Sequence, residues 1–101
     1  MQQRDLYDGY SCVYFIYDPA SNLIKIGVTD NLKERLRELK AQFGGQLQVV
    51  FTIPGKDYKL ERFLHARFRK YRFRYKDSRE WFYNVPAIWR YIRKYKRSSK
   101  S

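Results

Sequence analysis

The chain predicts a small α+β domain, a three-stranded antiparallel sheet flanked by helices, and three observations point there. Two short apolar runs, residues 10–17 and 23–28, are rich in β-branched and aromatic side chains and are separated only by Asp-Pro-Ala-Ser-Asn, which has hairpin-loop chemistry. A third such run, 46–53, stops at Pro54-Gly55. Between and beyond these runs, apolar residues recur at helical spacing in three stretches.

Residues 1–9 read as a flexible polar lead-in. Strand one (10–17) and strand two (23–28) form a tight antiparallel pair, which places Tyr14 and Lys25 near each other across the ladder. Thr29 and Asp30 offer N-cap oxygens to a helix over 31–43, which Gly44-Gly45 ends. On that helix Leu32, Leu36, Leu39 and Phe43 form one stripe, and Arg35 lies closer to it than any other charged residue, about 60° from its centre. Strand three is 46–53.

Asp57 caps a second helix expected over 57–73, with Leu60, Leu64, Phe68 and Tyr71 inward, Glu61 flanking that stripe and His65 one turn on. A basic loop leads to a short extended piece at 80–84. Pro86 suits the first turn of a last helix, with Ile88, Tyr91, Ile92 and Tyr95 inward. Residues 98–101 read as a disordered basic tail, which leaves 10–97 as a single domain.

The net charge of +12 is unevenly placed. Residues 1–50 carry six basic and six acidic side chains, whereas 51–101 carry 16 basic and only four acidic, Asp57, Glu61, Asp77 and Glu80. A polyanionic partner follows, because each neutralised phosphate releases counterions. Aromatic residues, 19% of the chain, are interleaved with these charges and favour a nucleic acid over a merely solvated surface. Arg62, Arg69, Lys70, Arg72, Arg74, Lys76, Arg90, Arg93, Lys94 and Arg97 are the candidate backbone contacts. The single cysteine, Cys12, excludes a disulfide scaffold and suits a reducing compartment. No run approaches the roughly 20 apolar residues of a membrane span, and the start lacks secretory-signal order. An intracellular protein, cytoplasmic or associated with a nucleoid or viral genome, is expected.

A lone Tyr in a strand is usually core, and a lone Lys there usually snorkels to water. Order and spacing change that reading. Tyr14, then Lys25-Ile26-Gly27, then Asn31-Leu32-Lys33-Glu34-Arg35, then Glu61 a helix later and a late Glu80-Trp81-Phe82 resemble the GIY-YIG nuclease superfamily, in particular its phage-type branch with a KIG second motif. The resemblance covers about residues 10–92 and implies a GIY-YIG-like αβ sandwich with endonuclease activity.

It places the first-motif tyrosine on Tyr14, the second on Lys25, the phosphate-contacting arginine on Arg35 and the acidic metal ligand on Glu61. The Glu80-Trp81-Phe82 element reads as structural. His65 could support the metal site, relay a proton or be a polar helix residue. Asn84 could match a late phosphate contact, and Tyr17 and Tyr83 are reserves. Cys12 and Val13 stand where the first motif would have glycine and isoleucine.

The chemistry is consistent with that layout. Phosphodiester hydrolysis needs a deprotonated water, charge neutralisation on the phosphate and a stabilised leaving oxygen. An ammonium near Tyr14 would favour its phenolate, so Tyr14 and Lys25 form a candidate general-base pair, and either could be the base itself. Arg35 offers a fork of donors to phosphate oxygens. Glu61 could hold one Mg²⁺, or Mn²⁺, which takes one or two carboxylates and fills its shell with water and phosphate. The expected function is a metal-dependent endonuclease acting on nucleic acid, DNA before RNA, as monomer or dimer. The alternatives are a non-cutting nucleic-acid-binding module on the same fold and a protein-interaction domain for an acidic partner.

Overall fold

The computed structural model describes residues 7–74 and 79–98. In chain order the elements are β1 (Cys12–Asp18), β2 (Leu23–Thr29), α1 (Leu32–Phe43), β3 (Gln48–Pro54), α2 (Tyr58–Arg67), a 3-10 turn (Arg69–Tyr71), β4 (Trp81–Tyr83) and α3 (Pro86–Ser98). The sheet is antiparallel with strand order β3-β1-β2-β4. The expected sheet had three strands. The short extended piece is a fourth, pairing Lys25 with Trp81, Ile24 with Phe82 and Leu23 with Tyr83.

The β1–β2 hairpin closes on side-chain chemistry. The Asp18 carboxylate accepts from the Ala20 N–H (2.9 Å), the Ser21 hydroxyl (2.8 Å) and the Gln46 amide (2.9 Å). Asn22 takes the left-handed conformation, φ 59°, which asparagine tolerates better than most residues.

The cap of α1 is Asn31, whose side chain accepts from the Glu34 N–H, rather than Thr29 or Asp30. Thr29 is still in β2, and Asp30 pairs with Lys56. Asp57 caps α2 as expected, through the Leu60 N–H. That helix ends at Arg67, well before residue 73, because the chain tightens into the 3-10 turn and Arg72 bridges to Phe82 while the Phe73 N–H donates to the Trp81 carbonyl. Pairing with β4 displaces the last helical turn that periodicity alone would extend.

Alternation along the strands separates two faces. On one, Val13, Phe15, Ile24, Ile26, Ile53 and Phe82 meet Leu64 and Phe68 of α2 and Ile88 and Ile92 of α3. On the other, Cys12, Tyr14, Ile16, Leu23 and Trp81 meet Leu32 and Leu39 of α1. A bulge where Phe15 faces Phe51 and Ile16 faces Val49 lets β3 contribute Phe51 to the first face and Val49 to the second.

Tyr7 belongs to the fold, unlike the expected loose lead-in. Its carbonyl accepts from Lys33 and Tyr10 backbone N–H groups, and its ring stacks with Tyr10. Ser98 closes α3, whereas the rest of the expected tail (99–101), residues 1–6 and Lys76 lie outside the described residues. Among the described residues no helix is long and apolar enough to cross a membrane.

Candidate active site

Gly27 is the centre of the site. It lies opposite Tyr14 in the β1–β2 register, and the tyrosine ring lies directly over it. A Cβ on Gly27 would stand 2.5 Å from Tyr14 Cζ, too close without displacing the ring, and a tight 3.0 Å from Glu80 Oε1. The motif glycine is therefore required by the close approach of a phenol and a carboxylate.

Around that point the fold gathers Tyr14, Lys25, Arg35, Glu61 and Glu80. Tyr14 is 1% exposed, and its hydroxyl accepts from Arg35 Nε at 3.4 Å. Arg35 reaches in from the first turn of α1, and its other branch meets Glu38 at 3.2 Å. Lys25, 4% exposed, puts its Nζ 2.9 Å from Glu80 Oε1 and 5.3 Å from the centre of the Trp81 ring. Glu80 sits just ahead of β4, and its carbonyl accepts from the Ile26 N–H.

Beyond that bond the β4 side of β2 has no further strand among the described residues, and α2 packs there. His65 Nε2 lies 2.8 Å from the Ile26 carbonyl, and because the carbonyl can only accept, that nitrogen carries the proton. The ring also packs edge-on against Phe82, at 5.2 Å. Glu61, four residues earlier on the same helical face, is thereby brought to the open end of β2.

Titration behaviour reports the crowding. Burial pushes the Tyr14 phenol up to about 12, with Glu80 and Glu61 adding to the rise and Arg35 opposing it. Burial lowers Lys25, while Glu80 holds its proton on. Burial raises the Glu61 carboxyl, Glu80 raises it further, and His65, Lys25 and Arg62 pull it back.

The expected link between the first two residues has a third member, Glu80. Lys25 stands opposite Ile16, two residues along the ladder from Tyr14 on the same face, and its ammonium pairs with Glu80, whose charge also raises Tyr14. At pH 7 a phenol of pKa 12 is phenolate in only about one molecule in 100,000.

Other sequence expectations separate from the site. Tyr17 points to the opposite face, and its hydroxyl donates to Asn22. Asn84 links the hairpin to α3, donating to Asn22 and accepting from the Trp89 indole. Tyr83 is half exposed at the hairpin end of the sheet. Arg72 turns inward over the Phe82 ring, 5.7 Å away, and reaches toward the His65 carbonyl, so it is not an outward phosphate contact.

Arg62, Arg69, Lys70, Arg74, Arg90, Arg93, Lys94 and Arg97 are exposed. Lys70, Arg90 and Lys94 line a groove of about 390 Å³ between the end of α2 and α3, with Tyr71 and Tyr91 in its walls. Arg67, absent from the sequence candidates, joins them and stacks 5.5 Å from the centre of the Tyr91 ring.

Glu80 is the residue that sequence reasoning missed. Its signal was present: it is one of only four acidic residues in the basic half, and it immediately precedes a strand-like aromatic triplet. As part of Glu80-Trp81-Phe82 it reads as structural, because nothing local reveals that Trp81 pairs with Lys25.

The donor set suits a hard cation. The Glu61 carboxylate makes no side-chain hydrogen bond among the described residues, and it feels the repulsion of Glu80. Among those residues no three His, Cys, Asp or Glu side chains assemble into a cage. One or two carboxylates with the shell completed by water and phosphate is the way Mg²⁺ is commonly held.

Residues 10–96 match the model of the T5orf172 domain. The chain belongs to the T5orf172 domain family. The matched span runs from Tyr10, beside β1, to Lys96 in α3, so the T5orf172 domain includes every residue of the site described above. No curated protein and no solved structure matches the chain significantly.

Proposed function

We propose that this T5orf172 domain is a metal-dependent endonuclease that hydrolyses nucleic-acid phosphodiester bonds, DNA before RNA. The observation that carries the reading is the convergence of a phenol, a guanidinium, an ammonium and two carboxylates on one glycine at the open end of β2. The order of Tyr14, Lys25-Ile26-Gly27, Arg35 and Glu61, which resembles the GIY-YIG nucleases, supports it.

In this reading Arg35 binds the scissile phosphate through the guanidinium edge that now meets Glu38, while Nε keeps the Tyr14 oxygen oriented. Glu61, with Glu80 behind it, would hold one Mg²⁺ or Mn²⁺. A divalent cation bound there supplies charge neutralisation on the phosphate and favours ionisation of nearby groups. Tyr14 and Lys25 are the general-base pair. The ionised minority form of Tyr14, which Arg35 stabilises, takes the proton of the attacking water and becomes the phenol, and Lys25 keeps its charge near the developing one because Glu80 holds its proton. The exposed cations of α2 and α3 grip the backbone, and selectivity follows nucleic-acid shape more than base sequence.

One observation favours a second reading, a non-cutting nucleic-acid-binding module: Tyr14 is held neutral and Lys25 is tied to Glu80. Nicking of supercoiled plasmid, with Mg²⁺ and with chelator, separates the two. The nuclease reading expects metal-dependent cutting that Arg35→Ala and Glu61→Ala abolish. Undiminished plasmid binding with no cutting in any metal would replace it with the binding module.

A further inference from the structure

Next to the candidate active site, on the same face of the sheet, lies a cavity of about 260 Å³. Phe43, Phe73, Trp81 and Tyr83 wall it, with Leu23 beside them; among the described residues Asp18 is the charged one at its lining, and no lysine or arginine joins it. Three features define what such a cavity takes.

The walls are aromatic and already interlocked, Phe43 on Trp81 at 5.2 Å and Phe73 on Tyr83 at 5.6 Å, both edge to face. Ring walls of this kind stack flat π systems. Tyr83 is 50% exposed, so part of its ring remains available to a ligand. The indole N–H of Trp81 has no acceptor among the described residues.

Charge gives the second feature. Burial disfavours the Asp18 carboxylate, but hydrogen bonds from Gln46, Ser21 and Ala20 outweigh that and hold it below the ordinary carboxylate range. A fixed anion repels phosphate and accepts from N–H donors.

The third feature is position. Leu23, Lys25 and Gly27 share one face of β2, so the cavity opens roughly 13 Å from Gly27, four residues at about 3.3 Å each. Trp81 is a wall of the cavity and also the ring beneath the Lys25 ammonium.

We infer that this cavity receives an unpaired nucleobase of the strand whose phosphate lies at Arg35. The substrate class is then nucleic acid with a bulged, mismatched or single-stranded base beside the scissile bond, for which unstacking costs least. The inference rests on the nuclease reading of the neighbouring site.

The test is fluorescence anisotropy in EDTA with two DNA duplexes, one carrying a single-base bulge and one fully paired. Wild type is expected to bind the bulged duplex about 10-fold more tightly. Tyr83→Ala, which opens the cavity, and Ser21→Trp, which fills it from an exposed turn, are expected to reduce that preference to within about twofold. A 2-aminopurine at the bulge should be quenched on binding wild type and not on binding Tyr83→Ala. Equal binding of both duplexes by wild type, or a preference undiminished in both variants, overturns the inference. Plasmid cutting in Mg²⁺ by the same preparation decides the other reading independently. Cutting without bulge preference removes the cavity's role alone, and preference without cutting removes the nuclease alone.

Discussion

The two faces of the sheet come from the same alternating strands and have diverged. Beneath α2 and α3 the buried positions are apolar throughout, Val13, Phe15, Ile24, Ile26, Ile53 and Phe82. Beneath α1 the same strands carry Tyr14 and Lys25 at equal depth, 1% and 4% exposed. The difference follows from cover. Two helices close the first face, whereas a single helix covers the second and leaves its β2–β4 side for Arg35, Glu80 and an aromatic cavity. A phenol and an ammonium at that depth need partners, and Arg35 for Tyr14 and Glu80 for Lys25 supply them.

If one face does chemistry and the other holds the fold, removing groups on each should have opposite signatures. Tyr14→Phe, Arg35→Ala and Glu61→Ala should each lower plasmid cutting by a factor on the order of 10² to 10⁴, with thermal midpoints within a few degrees of wild type. Phe68→Ala, on the other face, should cost about 3–5 kcal/mol in denaturant unfolding while cutting per folded molecule stays within about twofold. A Phe68→Ala protein that is folded but inactive would break the comparison.

Gly27→Ala tests the place where both demands meet. Its new methyl group displaces Tyr14, so about 1–3 kcal/mol of stability and on the order of 100-fold in cutting should be lost together. Loss of stability alone would mean that the position of the tyrosine is not used.

The smallest expected effect sharpens the comparison most. The Glu61 carboxyl is raised in the fold, so its contribution to stability is present below the ordinary carboxylate pKa and lost as pH rises through the raised one. Glu61→Gln should therefore unfold at a slightly higher temperature than wild type at pH 7, and that advantage should disappear near pH 4. The same variant should not cut. A thermal midpoint that falls at pH 7 would place Glu61 in the scaffold instead.

Much of this was legible in the sequence, and the missing parts share a cause. β1, β2, α1 and β3 are specified by local alternation, turn residues and apolar spacing, and all four stand within two residues of expectation. The positions of Tyr14, Arg35 and Glu61 followed from their elements. Long-range pairing was not readable: the Lys25–Trp81 register makes Glu80 a site residue and pairs it with the Lys25 ammonium. The shortened α2 has the same origin, because Arg72 and Phe73 leave the helix to meet residues eight to ten positions downstream. Asn84 and Tyr17 stand apart from the site because both bond to the turn at Asn22, a neighbour that local sequence does not reveal.

The bond between His65 and the Ile26 carbonyl makes the length of α2 matter as much as its composition. It fixes the rotation of the helix relative to the strand, and Glu61 is presented only because it lies four residues before the anchored histidine. A single residue inserted between them would turn Glu61 through about 100° and carry it off the site, even with every named side chain retained. Relatives of this chain should therefore vary in length at the surface loops long before they gain or lose a residue between the glutamate and the histidine.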